Sequence, residues 1–385
     1  MHKKGTRILV LGAGRIGAAI VYDLLRSQGV AQVGVADKNR GALARVARHS
    51  SARRLAVHHL DSTNGKAVAR LLGRYDAVTS ALPYRQNLAL ARAAIRAGVP
   101  FCDLGGSHEV RDAQQQLHQV ARRRGVALLP DCGLAPGLSS VLVAHGAMAF
   151  TRLERIHICV GGLPQRPQPP LDYALYFSPE GLINEYAEPV EIITGGRRRQ
   201  VEPLTGLEAI RFRGLPPLEA FYTSGGSSTL PHTFRQVREL HEKTIRYRGH
   251  CEKIRVLRAL GLFSSETVRV GRGSVSPRQV LVRLLEQSLG SNEPDIVLVR
   301  AVLEGQTPRG RRRLIYEMRD TYDRRSGLTA MMRTTAFPTS IAVQLLARGE
   351  IPPGVHTLEQ AVPAEEFLRE LRRRGVRVRR RWSQT

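Results

Sequence analysis

Residues 7–17 read Arg-Ile-Leu-Val-Leu-Gly-Ala-Gly-Arg-Ile-Gly, and this stretch decides the fold of the first part of the chain. The apolar run from Ile8 to Leu11 predicts a buried parallel strand. The apolar spacing that follows predicts an amphipathic helix. A Gly-x-Gly-x-x-Gly turn between such a strand and such a helix is typical of dinucleotide-binding sites.

Each glycine of this turn has a physical task. Gly12 allows the tight turn, Gly14 lets a pyrophosphate approach the backbone, and Gly17 lets the helix pack closely on the strand. Arg15 and Ile16 complete the loop, and the backbone N–H groups of the helix N-terminus point to the phosphates. We therefore predict that all five residues bind the coenzyme.

The residue that follows the second strand indicates which coenzyme binds. The run Val33–Ala36 ends in Asp37, 20 residues after Gly17. A carboxylate at this position binds the ribose hydroxyls and repels a 2′-phosphate, which favours NAD over NADP. Lys38 and Arg40 follow closely and act in the opposite direction.

Two further loops are predicted to touch the coenzyme. Asp61 follows the third predicted strand and is placed to meet the adenine amino group; an N-cap for a helix at 64–73 is the alternative. The loop after the fourth strand is predicted to touch the nicotinamide ribose through Ala81, Leu82 and Pro83.

The fifth and sixth predicted strands end in Asp103 and Asp131. Ligands of parallel α/β sheets bind at the carboxyl ends of the strands. These two carboxylates are therefore our candidate catalytic groups, able to polarise a bound ligand or a water molecule.

The order of elements predicts an α/β fold with two domains. In residues 1–132, predicted strands alternate with predicted helices. The strands lie near 7–11, 32–36, 55–58, 76–80, 100–104 and 126–130. The helices lie near 15–28, 40–48, 64–73, 87–97 and 110–124. This is the pattern of a Rossmann doubly wound parallel sheet.

Residues 133–327 predict an α+β second domain with an open mixed or antiparallel sheet, a natural dimer face. Its predicted strands are Arg155–Val160, Tyr173–Phe177, Val190–Thr194, Ile296–Leu303 and Leu314–Asp320. Helices are predicted at Phe234–Glu242, Gln279–Gln287 and Thr339–Ala347. The last helix belongs to a segment, about 328–375, that is expected to pack back onto the first domain.

The composition limits the possible functions. Four scattered cysteines indicate reduced thiols and predict no metal site. No apolar run reaches the ~18 residues of a membrane span, and Met1-His-Lys-Lys-Gly leads straight into a strand without a signal peptide, so a cytoplasmic protein is expected.

The formal charge of +26 is the feature that would favour a nucleic-acid partner. Only six of the 59 basic residues are lysines, and the arginines are spread along the chain with few aromatic neighbours. We therefore expect no nucleic-acid partner, and we interpret the clusters Arg197–Arg199, Arg309–Arg313 and Arg372–Arg381 as solvated turns or tails.

Several motifs together resemble a known family. They are Gly12–Gly17, Cys102–Gly106, Leu129–Gly137, Leu218–Gly226 and Glu242–Tyr247. On these motifs the chain, up to about residue 375, is similar to the saccharopine dehydrogenase-like proteins, and within them to the lysine 6-dehydrogenase branch. Two residues depart from the pattern: Ala135 replaces the aspartate of saccharopine-forming relatives, and Arg248 replaces the proline of the lysine branch.

The resemblance implies that the second domain holds an amino acid against the nicotinamide. Arg246 could bind its carboxylate as a bidentate guanidinium, and His250 is a candidate proton carrier. The other predicted substrate contacts are Tyr222, Thr223, Ser224 and Tyr247.

The function that follows is NAD-dependent oxidative deamination of an amino acid, at the ε-amine of L-lysine, to a semialdehyde that cyclises, plus ammonia. One alternative is a reductase of the saccharopine or carboxynorspermidine type, which joins an amine to an aldehyde acid. Another is a catalytically inactive coenzyme-binding protein whose basic surface binds nucleic acid.

Overall fold

The structure, a computed structural model, describes residues 5–48, 53–290 and 293–384. The strands are β1 (Thr6–Leu11), β2 (Val30–Asp37), β3 (Leu55–His59), β4 (Ala77–Ser80), β5 (Phe101–Asp103), β6 (Ala127–Leu129), β7 (Arg152–Pro164), β8 (Val190–Thr194), β9 (Arg197–Val201), β10 (Glu208–Ile210), β11 (Leu218–Tyr222), β12 (Glu239–Tyr247), β13 (Val268–Val270), β14 (Gly273–Val275), β15 (Asp295–Thr307), β16 (Gly310–Thr321), β17 (Gly354–Val355) and β18 (Val378–Gln384).

The helices alternate with these strands in the first third of the chain. They are α1 (Arg15–Leu24), α2 (Arg40–Arg48), α3 (Gly65–Leu72), α4 (Asn87–Ala97), α5 (His108–Gln115), α6 (His118–Arg123), α7 (Leu138–Ala147), α8 (Pro179–Ala187), α9 (Leu230–Thr233), α10 (His250–Ala259), α11 (Pro277–Ser288), α12 (Ala330–Ala347), α13 (Leu358–Ala361) and α14 (Ala364–Arg373), with a 3₁₀ turn at Tyr84–Gln86.

The chain forms two compact units, and each is discontinuous in sequence. Unit 1 contains residues 1–145 and 332–377, and unit 2 contains residues 146–331 and 378–385. The first boundary falls after His145, later than the predicted boundary after residue 132. Helix α7 spans this point, so one continuous helix joins the two segments of chain.

Unit 1 is built on a seven-stranded sheet in the order β17-β6-β5-β4-β1-β2-β3. Every neighbouring pair in it is parallel. Strand β1 is apolar and fully buried from Ile8 to Leu11, as a strand covered on both faces must be. The order of the first six strands is that of the doubly wound Rossmann sheet, so this prediction is confirmed.

The segment 332–377 completes unit 1. Strand β17 adds to the sheet beside β6. Arg374 directly follows α14, and its Nε lies 2.9 Å from Asp23 Oδ2. Both side chains are almost buried. Burial raises the pKa of Asp23, and the guanidinium opposes that rise. The segment is therefore fixed to the N-terminal part of the unit by sheet hydrogen bonds and by a buried ion pair.

Unit 2 is built on a mixed nine-stranded sheet with the path β10-β11-β12-β7-β15-β16-β18, and β8 and β9 extend from β12. Strands β12 and β7 are parallel, whereas the other pairs are antiparallel. The predicted open mixed sheet is confirmed. A small hairpin of β13 and β14 stands apart from it.

Several predicted elements of unit 2 differ from the structure. Phe234–Glu242 is not a helix: a turn leads into β12, which begins at Glu239. Phe234, Val237 and Leu240 imitate a helical spacing, but hydrogen bonds to β7 and β11 determine the conformation. Tyr173–Phe177 is not a strand: it forms a loop without sheet pairing, in which Tyr173 to Tyr176 are all buried.

The arginine clusters were predicted to be turns or tails, and this was wrong in part. Arg197–Arg199 lies in β9, Arg311–Arg313 lies in β16, and Arg379–Arg381 lies in β18. Strands β9 and β18 lie at edges of the sheet, and an edge strand can keep charged side chains in water while its backbone pairs on one side.

In unit 1, the helix predicted at 110–124 is divided into α5 and α6. No helix among the described residues is long and apolar enough to cross a membrane.

Candidate functional site

The glycine turn after β1 has the geometry that a dinucleotide requires. Gly12 has φ +102°, and a Cβ at this residue would lie 2.9 Å from the carbonyl oxygen of Ala81. A Cβ at Gly17 would lie 1.9 Å from the carbonyl oxygen of Gly12. A Cβ at Gly14 would meet nothing within 4 Å. The turn therefore leaves exposed backbone at Gly14, directly before α1 begins at Arg15.

Asp37 stands at the end of β2 and organises this turn. Its carboxylate accepts hydrogen bonds from the backbone N–H of Ala13 and of Asn39, each at 2.7 Å. The first bond joins the end of β2 to the glycine turn of β1. A fixed negative charge therefore lies at the sheet edge, where the adenosine ribose binds in this fold.

The other predicted coenzyme contacts lie on neighbouring loops. Asp61 is exposed and accepts hydrogen bonds from the backbone and the hydroxyl of Thr63, which lower its pKa. It does not cap α3, because Asn64 accepts from Ala67 N there, so the alternative interpretation was wrong.

The loop after β4 runs beside the glycine turn. The backbone N–H of Ala81 donates to Leu11 O at 2.7 Å. Leu82 is half-buried and Pro83 is exposed. The backbone at Ala81 and the turn at Gly12 therefore form adjoining parts of one sheet edge.

Asp103 is buried at the end of β5, and both of its carboxylate oxygens accept hydrogen bonds from neighbouring residues of unit 1. Its Oδ2 accepts from Gln114 Nε2 at 2.7 Å, and its Oδ1 accepts from Gly105 N at 2.8 Å and from Asp131 N at 3.4 Å. Burial raises its pKa, and these hydrogen bonds act against the rise. Through these contacts Asp103 holds the loops after β5 and β6 in place. Its catalytic role stays a prediction.

Asp131 begins a tightly wound loop. It has φ +63°, uncommon for a residue other than glycine. Its carboxylate packs on Gly105, where a Cβ would lie 2.1 Å from Asp131 Oδ1. Gly137 packs equally closely on Gly133 in the same loop. A residue other than glycine pays a conformational cost in this region of φ, and the close packing of the loop must offset that cost.

In unit 2, Arg246 is the centre of a buried polar network. Its Nε donates to Tyr186 Oη and its Nη1 donates to Ile245 O, both at 3.0 Å. Its Nη2 lies 3.5 Å from Glu185 Oε2, and the guanidinium stacks 4.8 Å from the ring centre of Tyr173. A guanidinium carries five N–H donors, so the network leaves part of this fork without a hydrogen bond among the described residues.

His250 continues this network and has a defined tautomer. Its Nδ1 lies 2.8 Å from Leu171 O, a carbonyl that can only accept, so Nδ1 carries the proton. Its Nε2, 3.0 Å from Tyr186 Oη, therefore accepts from that hydroxyl. Burial lowers the pKa of His250 to about 3, and Arg246 adds to the effect. His250 is therefore neutral, and both of its ring nitrogens form hydrogen bonds. It orients the hydroxyl of Tyr186, which in turn accepts a hydrogen bond from Arg246.

Two carboxylates have raised pKa values in this part of unit 2: Glu185, which contacts the guanidinium, and Glu242, which interacts with Glu185. Burial raises the pKa of Glu185 to about 7, and Arg246 opposes the rise. Burial also raises the pKa of Glu242 to about 8, and the charge of Glu185 adds to that effect. Both groups therefore titrate near neutral pH, as proton-transfer groups at active sites commonly do.

Strand alternation separates the predicted substrate residues into two sets. Along β12, Glu242, Thr244 and Arg246 project from one face, which we call the Arg246 face. The hydroxyl of Thr223 lies 2.6 Å from that of Thr244, so Thr223 belongs to this side. Ser224 follows, with its backbone N–H donating to Glu185 O at 2.9 Å.

Tyr222 and Tyr247 project from the opposite face. Tyr222 is directly across from Lys243, and its ring lies 5.0 Å from that ammonium. Tyr247 packs in an apolar cluster and donates its hydroxyl to Pro164 O at 2.8 Å. The structure therefore does not bring these tyrosines together with Arg246, because odd and even positions of a strand face opposite ways.

Sequence reasoning missed four members of the polar network. Glu185 and Tyr186 lie on α8, and Tyr173 lies in a loop that carries no motif. Glu242 was part of a quoted motif but had been assigned to a helix. No group of three or more residues that could hold a metal ion occurs in the described parts of the chain.

The comparisons with known proteins match both parts of the chain. The family model described as "Saccharopine dehydrogenase NADP binding domain" matches residues 8–129, and "Saccharopine dehydrogenase C-terminal domain" matches residues 133–376. The mitochondrial alpha-aminoadipic semialdehyde synthase of Mus musculus is 22% identical over 74% of this chain and 32% of its own length. The chain therefore spans about a third of that relative.

Two further matches come from Saccharomyces cerevisiae. Its saccharopine dehydrogenase [NADP(+), L-glutamate-forming] is 21% identical over 81% of this chain and 70% of its own length. The solved apo structure of its saccharopine dehydrogenase (L-Glu forming) has a TM-score of 0.79, with 17% identity, over 98% of this chain and all of that one. The structural match shows the same fold, and the two family models together show that this chain belongs to the saccharopine dehydrogenase family.

Proposed function

We propose that this protein oxidises the ε-amine of L-lysine with NAD as the hydride acceptor. The observation that carries the proposal is the Arg246 face. It combines a buried guanidinium for a carboxylate with two carboxylates for an ammonium, in a chain that also has a dinucleotide turn. An amino acid with a second amine carries these charges.

The residues of unit 1 fit a nicotinamide dinucleotide, because Gly14 leaves open space above an exposed backbone and Asp37 closes the turn. The bound coenzyme supplies a hydride acceptor. The chain's own residues must hold the carboxylate at Arg246, remove a proton from the ammonium, and exclude water until hydride has left the carbon. Overall, lysine ammonium, NAD⁺ and water give the semialdehyde, NADH, ammonium and one proton.

The relatives named above support a second candidate, a saccharopine-type reaction that joins an amine to an aldehyde acid. Ala135 stands where saccharopine-forming relatives carry an aspartate, which favours the lysine reaction. A spectrophotometric screen at alkaline pH, with lysine, other amines and saccharopine, and with NAD and NADP, decides between them. Turnover of saccharopine but not of lysine would contradict our proposal.

The coenzyme preference depends on Asp37. Its carboxylate should favour NAD, although Lys38 and Arg40 follow it and the yeast relative is named for NADP(+). We expect Asp37→Ala to narrow the NAD preference by ~10-fold or more, which corresponds to the ~1.5–3 kcal/mol of a charged hydrogen bond. Titration of coenzyme binding by fluorescence measures the ratio of the two affinities.

Asp61→Ala is the matched control for this change. Adenine is common to both coenzymes, so any loss at Asp61 should weaken NAD and NADP by the same factor. Equal affinity of the unmodified protein for NAD and NADP is the result that would contradict an NAD preference set by Asp37.

A further inference from the structure

Two buried polar atoms on the Arg246 face have no hydrogen-bond partner among the described residues. They are Glu242 Oε2 and Tyr173 Oη, and the residues are 6% and 0% exposed. The neighbouring His250, by contrast, has both ring nitrogens in hydrogen bonds. An unpartnered buried polar atom is costly and uncommon in a folded protein, so these two atoms point to a ligand.

Backbone packing holds the Glu242 carboxylate in this position. A Cβ at Gly226 would lie 2.0 Å from Glu242 Oε1 and 2.3 Å from its Cδ. Gly226 ends the motif Leu218–Gly226, and Glu242 begins the motif Glu242–Tyr247. The two motifs that identify the second domain therefore meet at this carboxylate.

The charges on this face do not balance. Glu185 forms an ion pair with Arg246, and its charge also raises the pKa of Glu242. The side chain of Glu185 is 30% exposed, so the network reaches the surface of unit 2 at this residue. When both carboxylates are ionised, a second cation with several N–H donors would hydrogen-bond Glu242 Oε2 and balance the remaining negative charge.

We propose that Glu242 and Glu185 form the subsite for the reacting ammonium of the substrate and that Glu242 accepts its proton. This inference rests on the proposed function, since it names the groups that select and activate the amine. In the step, an N–H bond of the ammonium breaks and an O–H bond forms on Glu242. The neutral amine that remains has the lone pair needed to expel hydride from its carbon.

The spacing along β12 fits a substrate with charges at both ends. Glu242 and Arg246 are four residues apart on one face, so their Cα atoms are separated by ~13 Å at ~3.3 Å per residue. A carboxylate at Arg246 and an amine at Glu242 therefore belong to opposite ends of one extended molecule.

Binding of three ligands to the full chain tests this subsite without turnover. L-Lysine has both ends, cadaverine lacks the carboxylate, and L-norleucine lacks the distal ammonium. We expect Glu242→Gln to weaken lysine and cadaverine by about 10-fold or more, as for a lost charge-assisted bond, and to leave norleucine within about twofold. Calorimetric titration of each ligand measures this. Glu191→Gln, an acidic residue that pairs with Arg198, is the kinetic and binding control.

The stability of the unliganded protein gives an independent readout. Because the pKa of Glu242 is raised to about 8 from 4.5, its ionisation opposes folding above about pH 4.5, and the loss is complete above about pH 8. Glu242→Gln should therefore raise the Tm by a few degrees at pH 8–9 and leave it unchanged at pH 4.5. The charged group facing Glu242 is Glu185, whose own charge is balanced by Arg246.

Glu219→Gln is the matched stability control. Glu219 is also buried and is paired in register with Arg246, but both its oxygens accept backbone hydrogen bonds, from Gly249 N at 2.8 Å and Cys251 N at 2.6 Å. Its replacement should lower the Tm at pH 8. A satisfied and an unsatisfied carboxylate on one face should thus respond with opposite signs.

The outcomes separate the subsite from the proposed function. If the protein binds lysine and cadaverine through Glu242 but oxidises neither, the subsite stands and the proposed reaction is wrong. Equal losses for all three ligands in Glu242→Gln, or no binding of any of them to the unmodified protein, would overturn the subsite. If lysine is oxidised, Glu242→Gln should lower kcat by about 100-fold or more; an unchanged kcat would exclude Glu242 as the base.

Discussion

Replacement of Gly14 by valine is expected to abolish binding of both NAD and NADP while the protein stays folded. A Cβ at Gly14 meets nothing within 4 Å, so the unliganded chain can accommodate the side chain, which then occupies the path of the pyrophosphate. We expect a loss of at least about 1,000-fold in affinity, or ~4 kcal/mol. Fluorescence titration measures the affinity, and thermal unfolding confirms the fold.

Gly65→Val is the control for this substitution. Gly65 begins α3 and likewise meets nothing within 4 Å, but it lies away from the glycine turn in sequence. It should keep full coenzyme affinity. If Gly14→Val also binds NAD with unchanged affinity, the turn after β1 is a structural turn and the coenzyme does not approach it.

Arg246→Ala is expected to raise KM for lysine far more than it lowers kcat. A carboxylate anchor holds the ground state and the transition state alike, so its loss removes uniform binding. Losing a buried, charged contact should cost roughly 2–5 kcal/mol, a KM increase of about 30- to 5,000-fold. Steady-state kinetics with lysine and with cadaverine measure the effect, which should vanish for cadaverine because it has no carboxylate.

Arg246→Lys distinguishes the guanidinium fork from its charge. Lysine keeps one positive charge but cannot donate in parallel to a carboxylate, so it should recover only part of the loss. Thermal unfolding must accompany the kinetics, because Tyr186 and Glu185 both lose a partner in the alanine variant. A similar penalty on lysine and cadaverine would show that Arg246 serves the fold of unit 2 and does not bind the substrate.

The sequence predicted unit 1 closely because its signals are local. The inner strands β1, β2 and β4 are short, mostly buried runs, and the crossover helices have their own periodicity. The exception is β17, whose two residues, Gly354 and Val355, are too few for any periodic pattern. It forms because β6 offers an unpaired edge to a segment distant in sequence.

Unit 2 was predicted less well because its sheet depends on distant partners. Strand β12 lies between β11 and β7, and the local spacing of Phe234, Val237 and Leu240 favours a helix that those partners prevent. That error also placed Glu242 on the wrong element. Glu185 and Tyr173 carry no motif, and only the folded network shows that they adjoin Arg246.

The interleaved arrangement of the two units has a consequence for biosynthesis. The chain passes from one unit to the other at residues 145–146, 331–332 and 377–378. A nascent chain that has emerged up to residue 330 has most of unit 1 but lacks β17, α14 and the Arg374 partner of Asp23. Until the distal segments are synthesised, the edges of β6 and β16 that later pair with β17 and β18 stay exposed. Exposed strand edges favour misassembly. We therefore expect co-translational folding of this protein to finish late, with both units closing within the last fifty or so residues described.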